Sequence, residues 1–192
     1  MIFIDLQNLQ INIQEYYKHN PKLEKPRIQY QKLTQQIINQ IDFNNLELIK
    51  TYLFASKPCE ELLLLPQYKN FYQWLNGMKN KPHFEVIEGS QVLRNTNEET
   101  PIDINNPSTF TTVEKGTDVN IAVNMLAKAY ANAYDVAILV SGDTDYLPVV
   151  YQLNNIGKVV ILVTLPHQNI AKYKGMYDQH IRLHDKLLQE CV

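Results

Sequence analysis

The stretch Val136-Ala-Ile-Leu-Val-Ser-Gly-Asp-Thr-Asp145 decides how the chain is read. Its apolar run stops abruptly at Ser141-Gly142. Two carboxylates follow, Asp143 and Asp145, with the Thr144 hydroxyl between them. Apolar runs of this length bounded by a turn read as strands buried on both faces, as in a parallel sheet. Ligands of open α/β sheets bind outside the carboxyl ends of such strands. Two acids placed there suggest a cation site, and a cation site suggests phosphate chemistry.

Working outward, the strand covers Tyr134 to Val140. A helix follows from Asp145 to Asn155, with Gly157 as its stop. Lys158 to Thr164 reads as a second parallel strand. On the other side, Thr117 to Ala133 carries the strongest helical signal. Gly116 or Thr117 can cap it, and Val119, Ala122, Val123, Met125, Leu126 and Ala129 make its apolar face. Near the start, Met1 to Leu6 reads as a strand and Gln7 to Lys18 as a helix with Leu9, Ile11, Ile13 and Tyr16 or Tyr17 apolar. A helix over Tyr30 to Ile41 and a strand over Leu46 to Ala55 come next. Pro66 opens a helix over Gln67 to Met78, and His83 to Ile87 is a short strand. Trp74 in that helix reads as core packing in preference to a stacking platform.

Strands alternating with helices give an α/β fold, a three-layer sandwich around a mainly parallel sheet. The 192 residues fit one domain, 1–192, with a sizeable core. Two segments stand apart from the pattern. Residues 18–32 are basic, with Lys18, Lys22, Lys25, Arg27 and Lys32 against Glu24. Residues 89–112 are polar and read as a long loop or hairpin excursion, a length that usually signals function or mobility.

The composition is that of an ordinary soluble globular protein, 45% hydrophobic and 20% charged. The net charge of −2 does not advertise a nucleic-acid binder. It does not exclude one, because a local basic face can coexist with an acidic pocket. Cys59 and Cys191 lack metal-binding spacing and read as reduced thiols of a cytoplasmic protein. No secretory signal or membrane span is visible.

Acids recur at strand and helix ends. Asp5 closes the first strand and is followed by Asn8, and Asp118 sits in the first turn of the strongest helix. If the strands at 1–6 and 136–140 are neighbours, Asp5, Asp118, Asp143 and Asp145 share one cleft. Such crowding is tolerable when a divalent cation compensates it. Oxygen donors suit Mg²⁺ or Mn²⁺. Asn8, Ser141 and Thr144 then orient a water or phosphate, and Lys115 contacts a phosphate oxygen. Each residue also has a plainer reading: Asp118 answers the helix dipole, Asp143 or Thr144 is an N-cap, and Asp5 is a turn residue. Glu114 reads equally as a solvated residue and as a member of the site.

Three motifs in order, Ile2-Phe-Ile-Asp-Leu-Gln-Asn-Leu9, Glu114-Lys-Gly-Thr-Asp-Val119 and Val140-Ser-Gly-Asp-Thr-Asp-Tyr-Leu-Pro-Val149, resemble those of NYN domains of the LabA type, within the PIN-like nuclease superfamily. The resemblance implies a Rossmann-like PIN fold with strand order 3-2-1-4-5. It also implies a Mg²⁺- or Mn²⁺-dependent ribonuclease, an endonuclease in preference to an exonuclease. Asp5, Asp118 and Asp143 would bind the metal. Asp145 would be a fourth acid or a partner that supports the metal-binding acids, and Asn8 the polar residue of the first motif. Tyr146 stands where Phe is frequent, a change expected to preserve packing.

RNA is then the expected substrate, with Lys22, Lys25, Arg27 and Lys32 tracking its backbone and Tyr16, Tyr17 or Tyr30 available for stacking. Packed tyrosines in a solvated basic segment are the plainer reading. The alternative function is a non-catalytic RNA- or protein-binding regulatory module on the same fold, and a homo-oligomer or protein partner stays open. A nucleotide-binding or phosphotransfer enzyme is disfavoured, because GxGxxG and GxxxxGK[ST] are absent. So is a haloacid-dehalogenase-like phosphatase, because position 7 is Gln.

Overall fold

The computed structural model describes residues 1–43, 45–97 and 101–192; part of the polar excursion, 98–100, lies outside them. The chain begins with β1 (Ile2–Asp5), which passes without a loop into α1 (Leu6–His19). Every residue of β1 is buried, as expected for a central strand covered on both faces. There follow α2 (Tyr30–Asn39), β2 (Thr51–Lys57), α3 (Pro66–Met78) and β3 (Phe84–Asn95). β4 (Phe110–Lys115) leads into α4 (Thr117–Tyr130), β5 (Val136–Val140), α5 (Leu147–Asn155) and β6 (Val159–Thr164). β7 (Gln179–Arg182) and α6 (Asp185–Gln189) close the chain.

The sheet order is β4-β3-β2-β1-β5-β6-β7, and every pairing except β3 with β4 is parallel. The expected order of five strands is present, with two additions. The polar excursion folds back as β4, in register from Ser90 opposite Lys115 to Asn95 opposite Phe110. The tail supplies β7 at the far edge. β2 also starts later than its composition suggested, because parallel pairing with β1 begins at Ile2 opposite Thr51.

The pleat sorts the core into two layers. Ile2, Ile4, Leu53, Ile138 and Val140 face the layer containing α1, α2, α3 and α6. Phe3, Phe54, Leu139 and Leu162 face α4 and α5. This period-two alternation is the strand geometry. It is invisible in the sequence because both faces are apolar.

The helices show where local reading fails. α4 buries Thr117, Ile121, Met125 and Ala129, while Val119 and Val123 are exposed, contrary to the expected face. A single threonine and an alanine disguise the true stripe. In α1 the buried stripe is Leu6, Leu9, Ile13 and Tyr17, and Ile11 is exposed. The helix expected from Asp145 is a short 3₁₀ turn, Thr144–Tyr146, continued by α5.

Candidate functional site at the carboxyl edge

β1 lies between β2 and β5, so the chain winds in opposite directions on its two sides. Ile4 pairs with Val140, and Asp5 and Ser141 leave the sheet side by side at this switch point. The two motifs, far apart in sequence, meet here as the parallel-neighbour argument required.

Asp5 is only 4% exposed. It caps α1: its Oδ1 accepts the Asn8 N–H at 3.1 Å. Its Oδ2 accepts the Ser141 hydroxyl at 3.2 Å and the Tyr146 hydroxyl at 3.0 Å. The same Tyr146 oxygen lies 2.8 Å from Asp118 Oδ1. A phenol carries one proton and cannot donate it to both carboxylates. The hydroxyl therefore donates to one carboxylate at a time, and the other faces it as a second acceptor. Burial raises the Asp5 pKa, and the Asp118 charge adds to it, against the hydrogen bonds from Asn8, Tyr146 and Ser141. Tyr146 stays protonated, pushed up by burial and then by the two acids.

Glu114, at the end of β4, belongs to the same electrostatic group. Burial raises its pKa and the charges of Asp5 and Asp118 raise it further, while hydrogen bonding to Ser56 opposes them. With its amide nitrogen turned to the carboxylate, Gln7 donates to Glu114 Oε1 at 2.7 Å. Ser56 and Thr117 share a buried hydroxyl contact at 2.9 Å, joining β2 to the start of α4. Gly89 permits this approach, since a Cβ there would lie 2.5 Å from Thr117 Oγ1 and 2.8 Å from the Lys115 carbonyl.

Asn8 ties three segments together. Its Oδ1 accepts from the Gly142 N–H at 3.4 Å, from Gln168 Nε2 at 3.1 Å and from Asn12 Nδ2 at 3.3 Å. A Cβ at Gly142 would lie 2.5 Å from Gln168 Nε2, so a side chain there would displace the Gln168 amide from this contact.

Asp143 and Asp145 stand differently. Asp143 caps the 3₁₀ turn, its Oδ1 accepting the Asp145 N–H at 3.0 Å. Its own N–H donates to Ser141 Oγ at 3.2 Å, and its carbonyl accepts the Tyr173 hydroxyl. Burial raises the Tyr173 pKa, and the charges of Asp143 and Asp145 raise it further. Asp145 is exposed, Thr144 half-buried and Lys115 exposed. The structure thus joins Asp5 and Asp118 by hydrogen bonds and adds Glu114 by charge. The Asp143 carboxylate is engaged with its own turn.

Sequence reasoning passed over Tyr146, Gln7, Ser56 and Gln168. Tyr146 was the most accessible of these: a hydroxyl had replaced an apolar ring edge in an otherwise matching motif. Tyr17 and Tyr30, offered for stacking, are buried, and Tyr16 stacks on His167 with ring centroids 6.3 Å apart.

Asp5, Asp118 and Glu114 form no ion pair with a Lys, Arg or His among the described residues. Clustered acids without a counter-charge, one buried, one half-buried and one exposed, suit an oxygen-liking divalent cation. No group of three or more acidic, histidine or cysteine side chains among the described residues is arranged to hold an ion. The site offers the one or two carboxylates that Mg²⁺ usually takes from a protein.

A doubly wound sheet with acids at its switch point defines an α/β protein with a candidate ligand site at the carboxyl edge. The model of the NYN domain matches residues 1–181, and the chain belongs to this family, a member of the PIN-like nuclease superfamily. PIN-like nucleases typically use divalent metals. No curated protein matches the chain. A crystal structure of a protein of unknown function from Vibrio parahaemolyticus RIMD 2210633 shares the fold with a TM-score of 0.58. It is 18% identical, over 96% of this chain and 91% of that one. Among the described residues no helix is long and apolar enough to cross a membrane.

Proposed function

We propose that the protein is a Mg²⁺- or Mn²⁺-dependent ribonuclease, cutting RNA phosphodiesters at the carboxyl edge of the sheet. The observation that carries this reading is the Asp5–Tyr146–Asp118 chain, two carboxylates held on one hydroxyl with no Lys, Arg or His paired to them among the described residues. Family membership agrees with it.

In this reading Asp5 and Asp118 hold the ion, and Glu114 adds negative charge beside it. Asp143 is the third acid of the family pattern, and its backbone N–H is linked to Asp5 through the Ser141 hydroxyl. A bound divalent ion supplies charge neutralisation and Lewis-acid polarisation of a phosphoryl oxygen. The protein's own groups supply orientation. Asn8, Ser141 and Tyr146 fix the Asp5 carboxylate, so it does not reorganise during reaction. Tyr146 sets the Asp118 carboxylate in the same way. Asp118 is exposed in the first turn of α4, where an incoming strand can reach it. Lys115, beside it in sequence and also exposed, supplies a point charge for a phosphate oxygen.

The test is RNA cleavage with Mn²⁺ by wild type, Asp5→Asn, Asp118→Asn and Asp143→Asn. Loss in the first two supports the assignment, and loss in the third places Asp143 in the ion site. Equal cleavage by wild type and all three variants overturns it. RNA binding that survives chelation, with no hydrolysis in any metal, points to the regulatory module instead.

A further inference from the structure

Beside the acid group, a cavity of about 250 Å³ opens between α1, β2, α3 and the β3–β4 hairpin. Its polar lining is unusual. Gln7, Gln10, Gln67 and Gln91 contribute amides, and Glu114 forms the wall towards the acids. Gln91 lies directly opposite Glu114 in the hairpin register. Tyr68 and Phe71 supply aromatic faces from α3. No Lys or Arg lines it, so a phosphate has no partner there. The volume lies below that of drug-sized pockets, about 300–1,000 Å³, and suits a single planar ring system.

We propose that this cavity is a nucleobase subsite next to the cleavage site, and that it selects bases bearing an exocyclic amine over uracil. The inference rests on the ribonuclease reading above.

Two observations set the preference. The Gln10 amide nitrogen donates to the Tyr30 hydroxyl at 3.2 Å, and the Gln7 amide nitrogen faces Glu114. The Gln10 carbonyl oxygen has no hydrogen-bond partner among the described residues. With the Glu114 carboxylate it gives the cavity two acceptor groups. Adenine, cytosine and guanine each present an amine to such acceptors. Uracil presents two keto oxygens around one N–H and leaves acceptors facing acceptors. Amide and carboxylate side chains read base amines in this way, and an aromatic face stacks on any base.

The cavity also has a continuation. Gln10 and Phe71 are shared with a neighbouring cavity of about 420 Å³, which adds Lys25, Arg27, Tyr30 and Trp74. Aromatic surface beside cations suits the next nucleotide and its phosphate. The basic segment thereby connects to the acid edge through the glutamine-lined cavity.

The experiment measures binding of short oligocytidylate and oligouridylate to the full chain in EDTA, where cleavage is absent. The two bases differ at the edge in question. Oligocytidylate should bind about tenfold more tightly, the size of one good base contact. Gln10→Leu should bring the two affinities together, and Tyr68→Ala should weaken both by a similar factor. Equal binding of the two by wild type overturns the subsite, as does a preference unchanged in both Gln10→Leu and Gln91→Leu. Cleavage in Mn²⁺ is scored separately. A base preference without hydrolysis defeats the ribonuclease reading alone, and hydrolysis without preference defeats the subsite alone.

Discussion

The four aspartates at the carboxyl edge behave as two pairs. Asp5 and Asp118 come from different motifs and meet on one tyrosine hydroxyl. Asp143 and Asp145 are neighbours in one motif, and the first caps the backbone N–H of the second. Proximity in sequence produced a turn, and distance in sequence produced a shared hydrogen-bond network. Capping does not separate the pairs, because Asp5 is also an N-cap. The shared Tyr146 hydroxyl separates them.

The largest effect expected from this contrast is on catalysis. Asp118→Asn should lower the rate of RNA cleavage by on the order of 10²–10³, the scale for losing one preorganised charge-stabilising group. Asp145→Asn should stay within about twofold, as for an exposed substitution. Steady-state cleavage rates check both, and similar losses would erase the distinction. Tyr146→Phe comes next. It keeps the ring and removes only the hydroxyl, so activity should fall about 10–100-fold, as for residues that orient metal-binding groups. Circular dichroism should show the fold intact.

Smaller effects concern stability. Asp143→Ala removes the cap of the 3₁₀ turn and should cost about 1 kcal/mol in denaturant unfolding. Asp5→Asn should act in the opposite direction in metal-free protein. It removes a buried charge and offers Tyr146 an N–H in place of a second acceptor, with an expected gain of about 1 kcal/mol. The pH dependence follows from the same acid. A carboxyl whose pKa is raised by folding binds its proton more tightly in the native state. Its contribution is complete below the ordinary carboxylate range and is lost as pH rises through the raised value. Thermal melts of metal-free wild type should therefore lose stability across that window, and Asp5→Asn should flatten the slope.

Much of this arrangement was legible in the sequence. The abrupt ends of two apolar runs located the carboxyl edge, and the alternation of elements gave the adjacency of β1 and β5. Three features were not legible. The hairpin was one of two readings of the polar segment, but its register, Ser90 opposite Lys115 to Asn95 opposite Phe110, was not fixed by any apolar pattern. The buried stripe of α4 includes Thr117, whose hydroxyl is satisfied only by Ser56 from another strand. The role of Tyr146 depends on two carboxylates converging from the start and the middle of the chain. Local propensity carries no information about such long-range pairings.

The most direct test of the central claim is the thermal shift produced by Mn²⁺ in wild type, Asp5→Asn, Asp118→Asn and Asp145→Asn. An ion held by Asp5 and Asp118 should raise the melting temperature of wild type and Asp145→Asn and leave the other two unmoved, since a ligand stabilises only the state that binds it. Equal shifts in all four proteins, or a shift lost only in Asp145→Asn, would contradict the placement of the ion at the Asp5–Tyr146–Asp118 chain.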